Sequence, residues 1–380
     1  MQVYDGYSKH ADAVEAISEA TSNWPDVVMF KPDVIFVFHS TAQDPHTVAA
    51  ELSKRFPKAL IAGSTSAGEW TSGSYQNGTL VLLAITSDKI RWTYSVVESL
   101  SDFSEEGAQE VYNQLLEGMQ IDRSDLRSDQ HFCIGFVDGM AGVDGRAVAA
   151  ISSQLGNIPF LGGCAGDDLK FEKTHVIANG KAYSGGAVFL LAESELPFRR
   201  IKHQHFVPGT KDVVITKANE SERKVLRLDG MPAADYYAEL LGKQVGELDF
   251  QVFSDHPVMY RYAGENYVRS ITSANDDGSL TFYCAIEEGM VLNLCQHQDM
   301  VEELDSSMNE LVDEIGQAEV LFMCNCVFRS LEAEGKKQSQ ALAEHASIAA
   351  KHVIGFDTYG ELWDGLHINQ TLVGLALGHE

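Results

Sequence analysis

The side chains best suited to bind a metal or a charged ligand lie mostly in the second half of the chain. His203 and His205 are two apart, so on a strand they share one face. Neutral imidazole is a good haem-iron ligand, which makes His205 a candidate proximal ligand with His203 as its alternate. The other reading is a surface histidine pair on an edge strand. His256 precedes Pro257 and so sits in extended or turn backbone, as an iron ligand or as a satisfied loop histidine. His367 stands shortly before Thr371 and, with Asn369 and Gln370, gathers polar groups ahead of the last strand. If buried, such a cluster needs internal hydrogen bonds or a ligand. His367 is thus a pocket group, a third candidate iron ligand, or part of a network pinning that strand. Arg269 lies in an apolar run, and when buried it requires an anion: a ligand carboxylate, a haem propionate or an internal acid.

A second set of candidates sits in three turns rich in glycine. These are Gly63–Glu69 with Ser64 and Ser66, Gly162–Asp168 with Cys164 and Asp168, and Gly355–Glu361 with Asp357 and Tyr359. Glycine and serine let a ligand approach the backbone closely. The acids ending the turns, Glu69, Asp167, Asp168 and Glu361, either bind a ligand amine or cap the turn through backbone N–H groups. No turn carries the lysine and hydroxyl of a P-loop or matches G-x-G-x-x-G, which argues against nucleotide binding. Neither Ser64 nor Ser66 sits in a G-x-S-x-G elbow with a placed His–Asp pair, so a hydrolase is not indicated. Cys324 and Cys326 have one residue between them, not a zinc spacing, and read as packed thiols.

The elements that must position these residues form an internal repeat. A strand, an amphipathic helix, a second strand running into the turn, and a third strand recur three times. The first copy has Val34–Phe38, a helix opened by Asp44-Pro45, the turn at Gly63 and Thr79–Ile85. The second has Phe132–Phe136, a helix ended by Gly156, the turn at Gly162 and Ala187–Leu191. The third has Val320–Cys324, a helix over roughly Gln338–Ala350, the turn at Gly355 and Thr371–Leu377. The separation from Val34 to Gly63 equals that from Phe132 to Leu161, and Gly68 to Thr79 equals Gly360 to Thr371. Between the second and third copies His203–Asn309 is strand-rich, with a hairpin turn at Asn275–Gly278. The reading is therefore an α/β (or α+β) fold of three strand-helix-strand-strand repeats forming mixed sheets, with a strand-rich insertion before the third. The expected division is a lead-in over 1–31, a domain of two repeats over 32–205, and a domain of the insertion plus the third repeat over 206–380.

Composition narrows the function. Acidic residues number 55 and basic ones 28, a formal charge of −27. That balance repels phosphate backbones and anionic lipid, so neither a nucleic-acid nor a membrane partner is expected. No apolar run reaches the roughly 18 residues of a spanning helix, and Met1–Ser8 does not open a signal peptide. The six cysteines lack scaffold spacing and read as reduced thiols of a cytoplasmic protein.

Taken in order, these strings resemble the FIST family of bacterial sensory proteins over nearly the whole chain, from about Asp33 to Gly378. The resemblance rests on the turns at Gly63 and Gly162 with Val176–Gly180 following. It continues through Leu228–Ala233, Tyr267–Ser270, Asp277–Leu280, Gly355–Glu361 and His367 with Asn369–Thr371. His205–Pro208, Phe282–Ile286 and Cys324–Cys326 leading to Arg329–Glu332 further resemble the nitric oxide-sensing haemoprotein branch of that family. Ser330 departs from it, standing where a second arginine follows Arg329 in that branch. The resemblance implies a non-enzymatic sensor that regulates a histidine kinase or another two-component protein. Its ligand is nitric oxide on haem b, or an amino acid without haem. In the second version Arg269 takes the carboxylate and an acid takes the amine.

Overall fold

The computed structural model describes the chain apart from residues 26–29, 102, 143, 263 and 380, so part of the lead-in lies outside the described residues. Two compact units emerge. One comprises Met1–His203, Leu304–Leu366 and Leu372–Glu380, and the other comprises Gln204–Glu303 with His367–Thr371. This partition differs from a cut at 205/206, because the third repeat folds with the first two.

The first unit contains three six-stranded mixed sheets with the same strand order. In the first, Gln2–Ser8, Leu80–Thr86, Val34–His39, Leu60–Thr65, Val176–Ala178 and Lys181–Tyr183 lie side by side. The second runs Ile90–Val97, Ala187–Ser194, His131–Val137, Phe160–Cys164, Glu361–Trp363 and Leu366–Ile368. The third runs Phe198–His203, Leu372–Leu377, Ala318–Cys326, Ala350–Thr358, Glu69–Thr71 and Ser74–Gln76. In each sheet the first and second strands of a repeat pair in parallel. The closing hairpin always comes from another repeat. Repeat one lends Glu69–Gln76 to repeat three, repeat three lends Glu361–Trp363 to repeat two, and repeat two lends Val176–Tyr183 to repeat one. This cyclic exchange ties the repeats together and is invisible to a reading that treats each copy as self-contained. The lead-in is also more than a leader, since Gln2–Ser8 is an edge strand along the whole of Leu80–Thr86.

The central strands are apolar on both faces because both faces are covered. Outward, Ile35 and Val37 pack with Val48, Ala49 and Leu52 of the helix Pro45–Arg55. That helix starts where expected: Asp44 accepts from the Thr47 amide at 2.8 Å and proline occupies the first turn. Inward, Phe36, Phe38, Phe136, Phe322 and Phe356 from the three repeats meet. Phe38 stacks on Phe356 at 4.2 Å and lies edge-on to Phe136 at 5.4 Å. The third repeat differs from the sequence reading. It carries two helices, Val327–Lys336 and Ser339–Ile348, separated by Lys337 in the left-handed region at φ 60°. Ala350 starts a strand instead of ending a helix. Cys164, expected in a turn, is the last residue of its strand.

The second unit is antiparallel. Its strands run in the order Glu265–Arg269, Val258–Tyr262, Val291–His297, Phe206–Asn219, Lys224–Leu228, Leu280–Phe282 and Ile271–Ala274. The hairpin at Asn275–Gly278 forms, with the Asn275 amide on the Ser279 carbonyl at 2.9 Å. The chain breaks at Ser270 between Glu265–Arg269 and Ile271–Ala274, and these two strands lie at opposite ends of this order. The core gathers Val213, Ile215, Val225, Tyr237, Phe253 and Leu280.

Candidate functional site

The three turns meet in a closed ring. The Ala67 amide donates to the Asp357 carbonyl at 3.1 Å, the Tyr359 amide to Cys164 at 3.1 Å, and the Gly166 amide to Thr65 at 3.0 Å. A second set crosses the same junctions: Asp357 N to the Gly68 carbonyl and Cys164 N to that of Gly360, both 2.8 Å. The equivalent residue of each repeat donates to the next, as the hairpin exchange requires. Gly68 and Gly360 share φ 154°, and a Cβ on Gly68 would lie 2.6 Å from an Asp357 carboxylate oxygen.

The acids of the ring are enclosed and satisfied. Glu69 accepts from the Ser66 hydroxyl and from the Thr79 amide and hydroxyl at 3.0 and 2.6 Å, while burial pushes it up to about 8. Thr358 donates to Glu361 at 2.7 Å. Asp357, raised by burial, accepts from Trp70 Nε1, Tyr75 OH and Asn325 Nδ2 at 2.8, 2.8 and 2.9 Å. Burial also acts on Asp167, but the Tyr359 hydroxyl at 2.5 Å and the amides of Phe171, Glu172 and Lys173 hold it below the usual range. Glu69 and Asp167 are therefore held by backbone N–H groups, and Glu361 accepts from a hydroxyl of its own turn.

Asp168 is the turn acid that opens outward. It accepts from Ser40 Oγ at 3.0 Å and the Thr41 amide at 2.9 Å, and it lines a cavity of about 400 Å³ with Ser40, Tyr75, Asn77, Ser330 and Glu334. Ser66, Cys164, Asp168, Asp357 and Tyr359 thus come together around the ring. Ser64 is fully buried in its strand, and its hydroxyl has no partner among the described residues. Ser330, where the resemblance to the haem branch breaks, lines the cavity and accepts from Asn325 at 2.9 Å.

The remaining candidates belong to the second unit. Arg269 Nη1 donates to the His367 carbonyl at 2.9 Å, Ser270 Oγ to Gln370 Oε1 at 3.0 Å, and Gln370 Nε2 to the Ser254 carbonyl at 2.8 Å. His367 and Asn369 are buried in this strip. His256 caps the helix Phe250–Asp255, its carbonyl accepts from Tyr237 OH at 2.5 Å, and burial holds its ring below the usual histidine range. His203 ends an edge strand of the first unit and His205 precedes a strand of the second, but both are buried, so they are not a surface pair. The His205 ring adjoins Phe206 at 4.3 Å and His297 at 4.9 Å. One imidazole of such a pair can serve as a proximal haem ligand; the two rings are too close to bind opposite faces of one haem.

The larger cavity, about 640 Å³, lies in this second unit and holds none of the candidate residues. Its lining includes Tyr260, Arg261, Asn293 and the acids Asp212, Glu287 and Glu288. A bulge in Phe206–Asn219 between Pro208 and Asp212 lies beside it. Arg261 is exposed and has no ion-pair partner among the described residues. The sequence did carry a sign of this site: Arg261 sits between Tyr260 and Tyr262, and Glu287-Glu288 precedes Gly289 in a turn.

A pair of family domains accounts for this chain. The FIST N domain matches residues 33–231 and the FIST C domain residues 233–364, so the chain belongs to the FIST family. FIST domains are sensory, ligand-binding domains of signal transduction. An uncharacterized protein of Methanocaldococcus jannaschii is 26% identical over 62% of this chain, and the chain spans about half of that relative (51%). Cyanuric acid hydrolase from A. caulinodans is similar over 100% of this chain and 99% of its own, at 9% identity and TM-score 0.40. A chorismatase is similar over 99% of this chain and 98% of its own, at 10% identity and TM-score 0.33. Similarity at that level carries no functional argument. No helix among the described residues is long and apolar enough to cross a membrane.

Proposed function

We propose that this chain is a non-enzymatic cytoplasmic sensor for a small zwitterion of the amino-acid class, bound in the cavity of the second unit. One observation carries the reading: a single lining holds an unpaired guanidinium, Arg261, and the carboxylates Asp212, Glu287 and Glu288. An α-carboxylate pairs with the first and an α-ammonium with the second. The aromatic face of Tyr260 and the apolar Met259 and Met290 accept the side chain. Asn293 adds a buried carbonyl oxygen with no donor among the described residues. Arg261 takes the role first assigned to Arg269, which does not line the cavity. Signalling to a histidine kinase or another two-component protein requires that the ligand bind two conformations with different affinity.

The test is a titration of the purified chain with each of the common amino acids, by calorimetry and thermal shift. Saturable binding of at least one, weakened about tenfold or more in Arg261→Ala, supports the reading. Absence of binding across the set, or binding indifferent to Arg261, overturns it.

The buried His205 ring supports a second reading, haem b with nitric oxide as the ligand. Bound haem would supply the iron that takes up nitric oxide. His205 would hold it, with His256 and His367 as the other candidates. A Soret band in protein from haem-supplied cells, moved by nitric oxide and lost in His205→Ala, supports this reading. Protein that stays colourless after added haem rejects it.

A further inference from the structure

We propose that the second unit holds a small monoanion, of the chloride, nitrate or formate class, against the Arg269 guanidinium. Arg269 ends the strand Glu265–Arg269 opposite Val258 and is 4% exposed. Its Nη1 donates to the His367 carbonyl, and its Nε has no partner among the described residues. Acids outnumber bases 55 to 28 in this chain, yet none of the described carboxylates forms an ion pair with this buried cation. Neutral groups against it include the His367 carbonyl, the Tyr260 ring with its centroid at 5.9 Å, and the Cys284 thiol, which burial pushes up.

A buried guanidinium without a counter-charge is unfavourable, and an internal acid is the usual remedy. Among the described residues no acid pairs with it, so the compensating charge comes from solution. The neighbouring strip is built to hold polar groups still. Gln370 adopts φ 50°, in the left-handed region, and is fixed on both sides by Ser270 and Ser254. Asn369, 1% exposed, has an amide oxygen without a donor; turned over, the same amide offers N–H to an anion. Enclosure favours a small ion. This site stands apart from the amino-acid reading, although Tyr260 is common to the two linings.

The test measures thermal midpoints of the whole chain at constant ionic strength while sodium gluconate is replaced by bromide, nitrate or formate. The expected result is a saturable rise of a few degrees in the wild type and none in Arg269→Met. Crystals soaked in bromide should show an anomalous peak on the guanidinium. A saturable rise that persists in Arg269→Met, or bromide found only elsewhere, overturns the proposal. If Arg269→Met does not fold, Arg269→Lys with a weaker anion response and the bromide peak in wild-type crystals decide it.

Discussion

The ring of turns in the first unit and the cavity of the second unit use polar groups in opposite ways. Around the ring, amides of one turn meet carbonyls of the next, and the enclosed carboxylates Glu69, Asp357 and Asp167 each accept several hydrogen bonds. In the second unit, the exposed Arg261 has no ion-pair partner, and the buried Asn293 carbonyl oxygen and Arg269 Nε have no hydrogen-bond partner, among the described residues. A buried polar group with its bonds made holds architecture in place, whereas one without them has capacity left for a ligand. Glycine-rich turns resemble binding loops in sequence. Here the same small residues let three backbones approach one another.

The largest expected effect breaks the ring. Gly68→Ala places a Cβ against Asp357 and Tyr75 in a backbone region unsuited to alanine, and should cost about 3 kcal/mol or more in urea unfolding. A near-normal midpoint would mean that the ring is not what joins the repeats.

Glu69 gives the next effect, in pH. Its folded value is raised to about 8 from an ordinary 4.5, so the folded state holds the proton more tightly than the unfolded chain. That contribution is fully present below about 4.5 and is lost as pH rises through about 8. Glu69→Gln, which keeps the shape without the charge, should flatten the fall in stability across that window. An unchanged pH profile in the variant would show that Glu69 is not the group responsible.

In the second unit the contrast should invert. Arg261→Ala should change stability by less than about 0.5 kcal/mol while weakening amino-acid binding by about tenfold or more. A large loss of stability would place Arg261 with the architecture. The smallest effect is expected at Asp168. Its bonds to Ser40 and Thr41 are partly exposed, so Asp168→Asn should cost about 1 kcal/mol and leave amino-acid affinity unchanged. Lost affinity there would move the ligand to the cavity beside the ring.

Much of this was legible before the structure. Local signals act within a few residues: Asp44-Pro45 starts its helix and Asn275–Gly278 turns its hairpin. The repeat was legible because each copy needs the same strand-helix-strand pattern to bury its own faces. The first helix of the third repeat, Val327–Lys336, was missed because Val327–Phe328 reads as a continuation of the apolar strand before it. The larger cavity was missed because Asp212, Arg261 and the Glu287-Glu288 pair lie far apart in sequence.

By itself, the sequence determined the family, the three repeats and the elements within them, since caps, turns and apolar periodicity are short-range. Only the tertiary structure decided which repeat receives which hairpin, that the three turns close on one another, and that Arg269 is buried with no ion-pair partner among the described residues. Those outcomes depend on contacts between residues up to hundreds of positions apart, such as Tyr75 and Asp357, and no local pattern encodes such pairings.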